Sequence, residues 1–378
     1  MACYPSAVPN SLRENFTLIQ GLRGLAALWV VLFHLEKTTA IAGLSAHLPS
    51  WLDYAVFGYG RAGVAVFFVL SGFVIAHSLN GKVMTARELG TFALRRSIRL
   101  DPPYWASMVF VVAVGACLAL VHHATPAYPT AAQVGVHMLY LQELLRVPEI
   151  ELVYWTLTYE IQFYLVYAVS RWLGEKTGRF TPIDWALYAV ALWSAWEGRE
   201  WAPHGLFVNL WQGFFLGVLA YRAGHLKERV WPFALLFVVM IIGSRNSTEV
   251  FALPCAGAGI ILLAAARTNR LTTALGGRAW QWLGAISYSL YLVHAPTLRL
   301  FGGAWQRIAG RGAVPDTLAA VFLVVACLGT ATIFFLVFER PSHLLAKRLF
   351  RTSSRRHSDD AAPVSGPPVA LCSDALPH

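Results

Sequence analysis

Apolar runs long enough to cross a bilayer recur along almost the whole chain, and no other feature restricts its fold so severely. Examples are Tyr104–Val121, Val208–Ala220, Trp231–Ile242, Phe251–Ala266 and Leu318–Phe338. A helical span takes about 20 predominantly apolar residues, so these runs predict helices whose solvent is lipid. Composition agrees. The chain is 57% hydrophobic and 13% charged, with a mean hydropathy of +0.53, whereas a soluble domain is about a quarter charged and at most about half apolar. No segment reads as a separate soluble domain. The expected fold class is all-α, a polytopic integral membrane protein.

About ten transmembrane helices are expected, near residues 17–35, 60–80, 102–122, 152–172, 183–197, 206–221, 231–244, 250–266, 282–300 and 317–338. Loops retained in the cytoplasm collect Lys and Arg. With the N-terminus inside, 22 of the 30 basic residues fall on the cytoplasmic side, so both termini are expected to be cytoplasmic. Three parts follow: a cytoplasmic N-terminal segment 1–16, a membrane domain 17–341, and a basic then disordered cytoplasmic tail 342–378. The tail is rich in Ser, Pro, Ala and charge beyond about Arg351, a composition that does not build a core, and it is expected to carry no chemistry.

The formal net charge of +10 does not point to nucleic acid, because the basic residues lie between apolar runs instead of clustering on a soluble module. Cys117, Cys255 and Cys327 lie inside apolar runs, Cys3 and Cys372 lie in the tails, and there is no CxxC spacing. Neither a metal site nor a disulfide framework is expected. Residues 125–151 are too long for a tight turn, and their amphipathic stretch Val134–Arg146 is too short and polar to span. It reads as a re-entrant or interfacial helix. A competing reading of the N-terminus is a signal peptide, with Arg13 and Arg23 as its basic region, Gly24–Leu35 as its apolar core and Ala40-Ile41-Ala42 as its cleavage site.

An ionisable group inside a span is costly unless it is paired or hydrated, which makes each one a functional candidate. Arg23 and His34 belong to the first span. Eleven positions at about 100° each bring them to one face, about 16 Å apart along the axis, linking the cytoplasmic surface to the bilayer interior. The bland reading is that Arg23 snorkels to headgroups and His34 bonds a neighbouring helix. Arg95, Arg96 and Arg99 precede Pro102-Pro103 where the third span begins. In a helix Arg95 and Arg99 share a face with Arg96 beside them, a set of planar forks suited to phosphate oxygens; ordinary contact with anionic lipid is the alternative. Glu160 stands among the aromatics of Tyr154–Tyr164 and must pair with a cation, coordinate something or stay protonated. Small residues in Gly63–Phe73 favour close helix packing, and Ser287–His294 lines a late span with polar groups.

Taken together and in order from Gln20 to Pro341, these segments resemble acyltransferase family 3 of the membrane O-acyltransferases. The marks are Arg23-x10-His34, Val69-Leu70-Ser71-Gly72-Phe73, Arg95-Arg96-x-x-Arg99, Trp155-x-Leu157-x-Tyr159-Glu160-x-Gln162-Phe163-Tyr164, Ser287-Tyr288-x-x-Tyr291-Leu292-x-His294 and Phe338-Glu339-Arg340-Pro341. The resemblance implies an enzyme that takes an acyl group, usually acetyl from cytoplasmic acetyl-coenzyme A, and places it on a hydroxyl of a carbohydrate or other acceptor. The chain looks like the stand-alone form, with no hydrolase-like domain after Pro341.

Carried onto this sequence, the resemblance implies that Arg23, Arg95, Arg96 and Arg99 hold the phosphates of acyl-coenzyme A. His34 then acts as general base or transient acyl carrier, and Glu160 orients or stabilises its imidazole. Ser71, Tyr159, Tyr288 and His294 are expected to contact substrate. Expected partners are membrane lipid, the acyl-coenzyme A donor and a hydroxyl acceptor, in the cytoplasmic or inner membrane. An extracytoplasmic polysaccharide is the first acceptor and a small molecule such as a macrolide the second. A proton-coupled transporter or flippase would also use intramembrane Arg, His and Glu, but the two halves of the chain do not correspond. A sensor or scaffold would leave those groups without work.

Overall fold

The computed structural model describes residues 16–197, 204–244, 251–309 and 312–359. The expected N-terminal segment lies almost wholly outside these residues, as do Arg13, Cys3, Cys372 and the tail from residue 360. All regular structure among the described residues is helical. The principal helices are α1 (Thr17–Glu36), α2 (Gly63–Leu79), α3 (Ala86–Val121), α4 (Ala131–Met138), α5 (Trp155–Thr177), α6 (Phe180–Glu197), α7 (Trp211–Gly224), α8 (Trp231–Gly243), α9 (Ala252–Arg267), α10 (Arg278–Ala285), α11 (Ser287–Ala309), α12 (Ala313–Phe334) and α13 (Arg340–Asp359). Each of the ten apolar segments expected to span falls on a helix. Among the described residues, four helical stretches are both long and apolar enough to cross a membrane: Thr17–Glu36, Ser50–Leu79, Ala86–Val121 and Ala313–Phe350. Trp231–Gly243 and Ala252–Arg267 are shorter apolar helices.

Glycine decides how closely the bundle closes. α2 crosses α7 with Gly72 against the carbonyl oxygen of Phe214 and Gly217 against that of Val69, and a methyl group at either position would overlap the facing oxygen. α1 meets α10 in the same way, through Gly24 and Gly284, where a Cβ on Gly284 would overlap the carbonyl of Gln20. Such contacts let helices associate by backbone packing where lipid tails remove the usual hydrophobic drive. Around these crossings the core is largely aromatic, with Phe163 stacked on Phe214 at 4.2 Å and Phe73 edge-on to Tyr221 at 5.3 Å.

Two elements differ from expectation. The third span is expected to begin near residue 102, yet α3 starts at Ala86 and runs 36 residues without a break, about 54 Å at 1.5 Å per residue. Its start is capped by Thr85, whose hydroxyl accepts from Glu88 N at 3.2 Å, and Thr-x-x-Glu is the spacing of a capping box. Pro102 and Pro103 remove the donors that would reach the carbonyls of Ile98 and Arg99, but the helix continues through them. Consequently the arginine cluster and the span ride on one rod.

The second difference is the tail. The segment expected to lose structure after about Arg351 is helical to Asp359 as part of α13, which follows α12 through a widened π turn, Phe335–Glu339. α13 packs against α3, through His343 on Arg99 and Phe350 on Arg95.

The amphipathic stretch near 134–146 forms two short helices, α4 and Gln142–Leu145, separated by Tyr140 in a left-handed conformation (φ 56°). They fold back over α3. Tyr140 stacks on Tyr104 at 4.8 Å and donates to Asp101 Oδ1 at 2.9 Å, while buried His137 approaches Glu149 Oε2 at 3.2 Å and accepts from Ile150 N at 3.1 Å.

Candidate active site

A cavity of about 100 Å³ lies among α1, α2, α3, α5 and α11. Each helix offers it one stripe. α5 contributes Thr156, Leu157, Glu160 and Tyr164, and α11 contributes Ser287, Tyr288 and Tyr291, the three-and-four spacing that puts side chains on one helical face. α1 supplies Arg23, α2 supplies Ser71 among apolar residues, and α3 supplies Arg96 and Arg99.

Three guanidinium groups therefore share one recess. Among the described residues no carboxylate comes within 4.0 Å of Arg23, Arg96 or Arg99. Glu339 attracts Arg23 and Arg99 from farther away. Arg96 stacks on the Tyr164 ring, its guanidinium carbon 3.6 Å from the centroid, and its buried Nε has no hydrogen-bond partner among the described residues. Half-buried positive charge without paired carboxylates is unfavourable, an arrangement that could accommodate an anion.

The two carboxylates nearest the arginines are committed to hydroxyls. Glu160 Oε1 accepts from Ser71 Oγ at 2.8 Å and from Tyr164 OH. Glu339, 2% exposed, accepts through Oε2 from Ser289 N at 3.1 Å and from Ser289 Oγ at 2.6 Å. Arg99 Nε donates to His343 Nε2 at 2.9 Å. Tyr288 OH donates to the carbonyl of Leu100 at 3.1 Å, an extra partner for the backbone beside the proline pair. Tyr291 OH donates to Val153 O at 3.0 Å and lies 2.7 Å from Thr156 Oγ1.

His34 lies elsewhere, in the last turn of α1, and it pairs with His294 of α11. The nitrogens His34 Nδ1 and His294 Nε2 are 3.2 Å apart, and the rings are 4.8 Å apart. The surrounding carbonyls settle the tautomers. His294 Nδ1 faces the oxygens of Leu290 (3.1 Å) and Tyr291 (2.8 Å), and His34 Nδ1 faces that of Val30 (2.9 Å). A carbonyl only accepts, so each Nδ1 carries a proton. His294 Nε2 then accepts from His34 Nδ1–H, which leaves Nε2 of His34 as its lone-pair nitrogen. Tyr288, Tyr291 and His294 follow one another at three-residue steps on α11, so a polar stripe about 9 Å long joins the cavity to the histidine pair.

Of the residues expected from sequence, the structure brings Arg23, Arg96, Arg99, Ser71, Glu160 and Tyr288 together in the cavity. Arg95 does not line it; its guanidinium lies over Phe350 of α13 at 4.9 Å, because the 100° step from Arg96 turns it toward that helix. Tyr159 is likewise outside, buried edge-on against Trp155 at 5.7 Å. Glu160 bonds Ser71 and Tyr164, and the orienting partner of the His34 ring is His294, whose register on α11 places it there. Sequence reading quoted Tyr164, Tyr291 and Glu339 only as marks of the resemblance and gave no site role to them, to Thr156 or to His343. Tyr164 and Tyr291 had a usable signal, since each stands one turn from a residue already chosen.

Residues 17–338 match a family described as Acyltransferase domain (Acyl_transf_3). Protein 2 in picA locus of Rhizobium radiobacter is 32% identical over 114 residues, covering 30% of this chain and 52% of that protein. Exopolysaccharide production protein ExoZ of Rhizobium meliloti (strain 1021) is 28% identical over 326 residues, covering 75% of this chain and 90% of that protein. The chain thus spans about half the length of the first relative and nine-tenths of the second. No solved structure matches it.

Proposed function

The chain belongs to acyltransferase family 3, and from that membership we propose that it moves an acetyl group from cytoplasmic acetyl-coenzyme A to a hydroxyl of an extracytoplasmic polysaccharide. The observation that carries this reading is the cavity in which Arg23, Arg96 and Arg99 converge without a carboxylate partner. Coenzyme A ends in phosphates, and planar guanidinium forks bind phosphate oxygens in pairs. The polysaccharide acceptor is favoured over a small molecule by the similarity to a protein named for exopolysaccharide production. In this reading the ten apolar helices span the cytoplasmic membrane with both termini inside, and the arginine end of the cavity faces the cytoplasm.

His34 Nε2 takes the proton of the acceptor hydroxyl as its oxygen attacks the thioester carbonyl. A C–O bond forms, the C–S bond breaks, and the departing thiolate recovers the proton from the imidazolium, giving free coenzyme A thiol and the acyl ester. General-base catalysis of this kind contributes about 10²–10⁴ in rate. His294 holds the His34 ring with Nε2 toward the reaction and accepts from its Nδ1–H, the orienting role a carboxylate has in other triads. In this reading the thioester arm of the donor runs along the α11 stripe and brings the acyl carbon to His34.

Purified protein reconstituted in vesicles and supplied with radiolabelled acetyl-coenzyme A tests the proposal. Label should pass to an added cell-surface polysaccharide. If the protein binds no coenzyme A and moves no label to any hydroxyl acceptor, the reading is wrong.

A further inference from the structure

The family match ends at residue 338, one turn short of the groups that hold Arg99. We infer that α13 completes the donor site, with His343 as a positioning residue that aims the Arg99 guanidinium into the cavity. This rests on the reading of that cavity as the phosphate end of the donor.

Arg99 reaches the cavity on a long side chain beside two groups of its own sign, and Arg23 and Arg96 both repel it. Without an anchor the fork would turn away. His343 provides one by accepting the Nε–H at 2.9 Å, which requires a lone pair on its Nε2. A guanidinium has five N–H groups in one plane, so fixing the Nε–H sets that plane and leaves the four Nη hydrogens for phosphate oxygens. Glu339 stands one turn earlier on the same continuous rod and anchors it, because its Oε2 is tied to Ser289 on α11; its Oε1, 3.7 Å from the lone pair of His343 Nε2, makes no hydrogen bond to the ring. The stacking of Arg95 on Phe350 joins α13 to α3 about two turns farther along. Ser289 and Glu339 therefore fix α13 to the helix that also carries Tyr288 and His294, and His343, on α13, fixes the donor fork relative to it.

Calorimetric titration of the purified full chain with coenzyme A tests the inference. His343→Leu, which removes the acceptor at similar bulk, should weaken binding about tenfold, the usual order for one hydrogen bond to a charged group. His343→Gln restores an acceptor and should recover affinity to within about threefold of wild type. Combining His343→Leu with Arg99→Ala should cost no more than Arg99→Ala alone, because the histidine acts through the arginine. If His343→Leu does not fold, His343→Asn, whose carbonyl falls short of Nε, takes its place in the series. Equal weakening by the Gln and Leu variants, or additive losses in the double variant, would overturn the positioning role. Tight wild-type binding that no His343 variant changes sinks this inference alone; no wild-type binding sinks the donor reading and this inference with it.

Discussion

At the scale of single residues, the structure separates three cavity arginines from a histidine pair. Arg23, Arg96 and Arg99 line the cavity, whereas His34 and His294 share one proton between facing nitrogens. His34→Ala should lower acyl transfer by about 10²–10⁴ while leaving coenzyme A affinity within about threefold, measured by initial rates and by titration. His294→Ala should act on kcat in the same direction but less strongly, since it removes the orienting partner and not the base. A His294→Ala variant with wild-type kcat would show that the dyad does not orient the base.

The sequence made some of these residues conspicuous and hid others for physical reasons. An arginine or glutamate inside an apolar run is expensive, so Arg23 and Glu160 stood out unaided. Glu339 and His343 sit where a span ends, and charge there is ordinary. Among three crowded arginines, periodicity could show that they share one side of a helix but not how the helix is rotated, so Arg95 was grouped with its neighbours although it turns to Phe350.

At the scale of elements, the helices were legible because apolar length is written directly in the chain, and their contacts were not, because packing depends on which small residues face each other. The run from Gly63 to Phe73 suggested close approach without naming the partner. The structure supplies α7, with Gly72 and Gly217 each against a backbone carbonyl. Gly72→Val should destabilise the folded protein by about 1–3 kcal/mol, the usual cost of overpacking, read as a lowered melting temperature in detergent. The neighbouring exposed Gly257→Val, whose added Cβ meets nothing within 4 Å, should leave the melting temperature unchanged. The start of α3 escaped the hydropathy pattern for another reason. Its first sixteen residues carry six charged side chains, and what begins the helix is the Thr85 cap with Glu88, a local signal that an average over a span-length window erases.

At the scale of the whole molecule, the expected topology has a direct test. Tyr128 is exposed on the connection before α4, and Lys82 and Arg229 flank loops assigned to the cytoplasm by charge. In a variant otherwise lacking cysteine, Tyr128→Cys should react with a membrane-impermeant maleimide added to intact cells, while Lys82→Cys and Arg229→Cys should react only after lysis. Labelling of Lys82→Cys in intact cells would invert the orientation, and the arginine cavity would then open away from the cytoplasm.

The stripe on α11 carries Tyr288 and Tyr291, which line the arginine cavity, and then His294 of the histidine pair, about 9 Å from end to end, with Tyr291 tied by hydrogen bonds to Val153 and Thr156. Two reactants that arrive at such separated stations need not take turns. Double-reciprocal plots at several fixed acceptor concentrations should intersect instead of running parallel, and coenzyme A should compete with acetyl-coenzyme A but not with the acceptor. In kinetic terms, donor and acceptor bound as proposed would give a sequential reaction, in which the product left at one end does not obstruct the substrate arriving at the other.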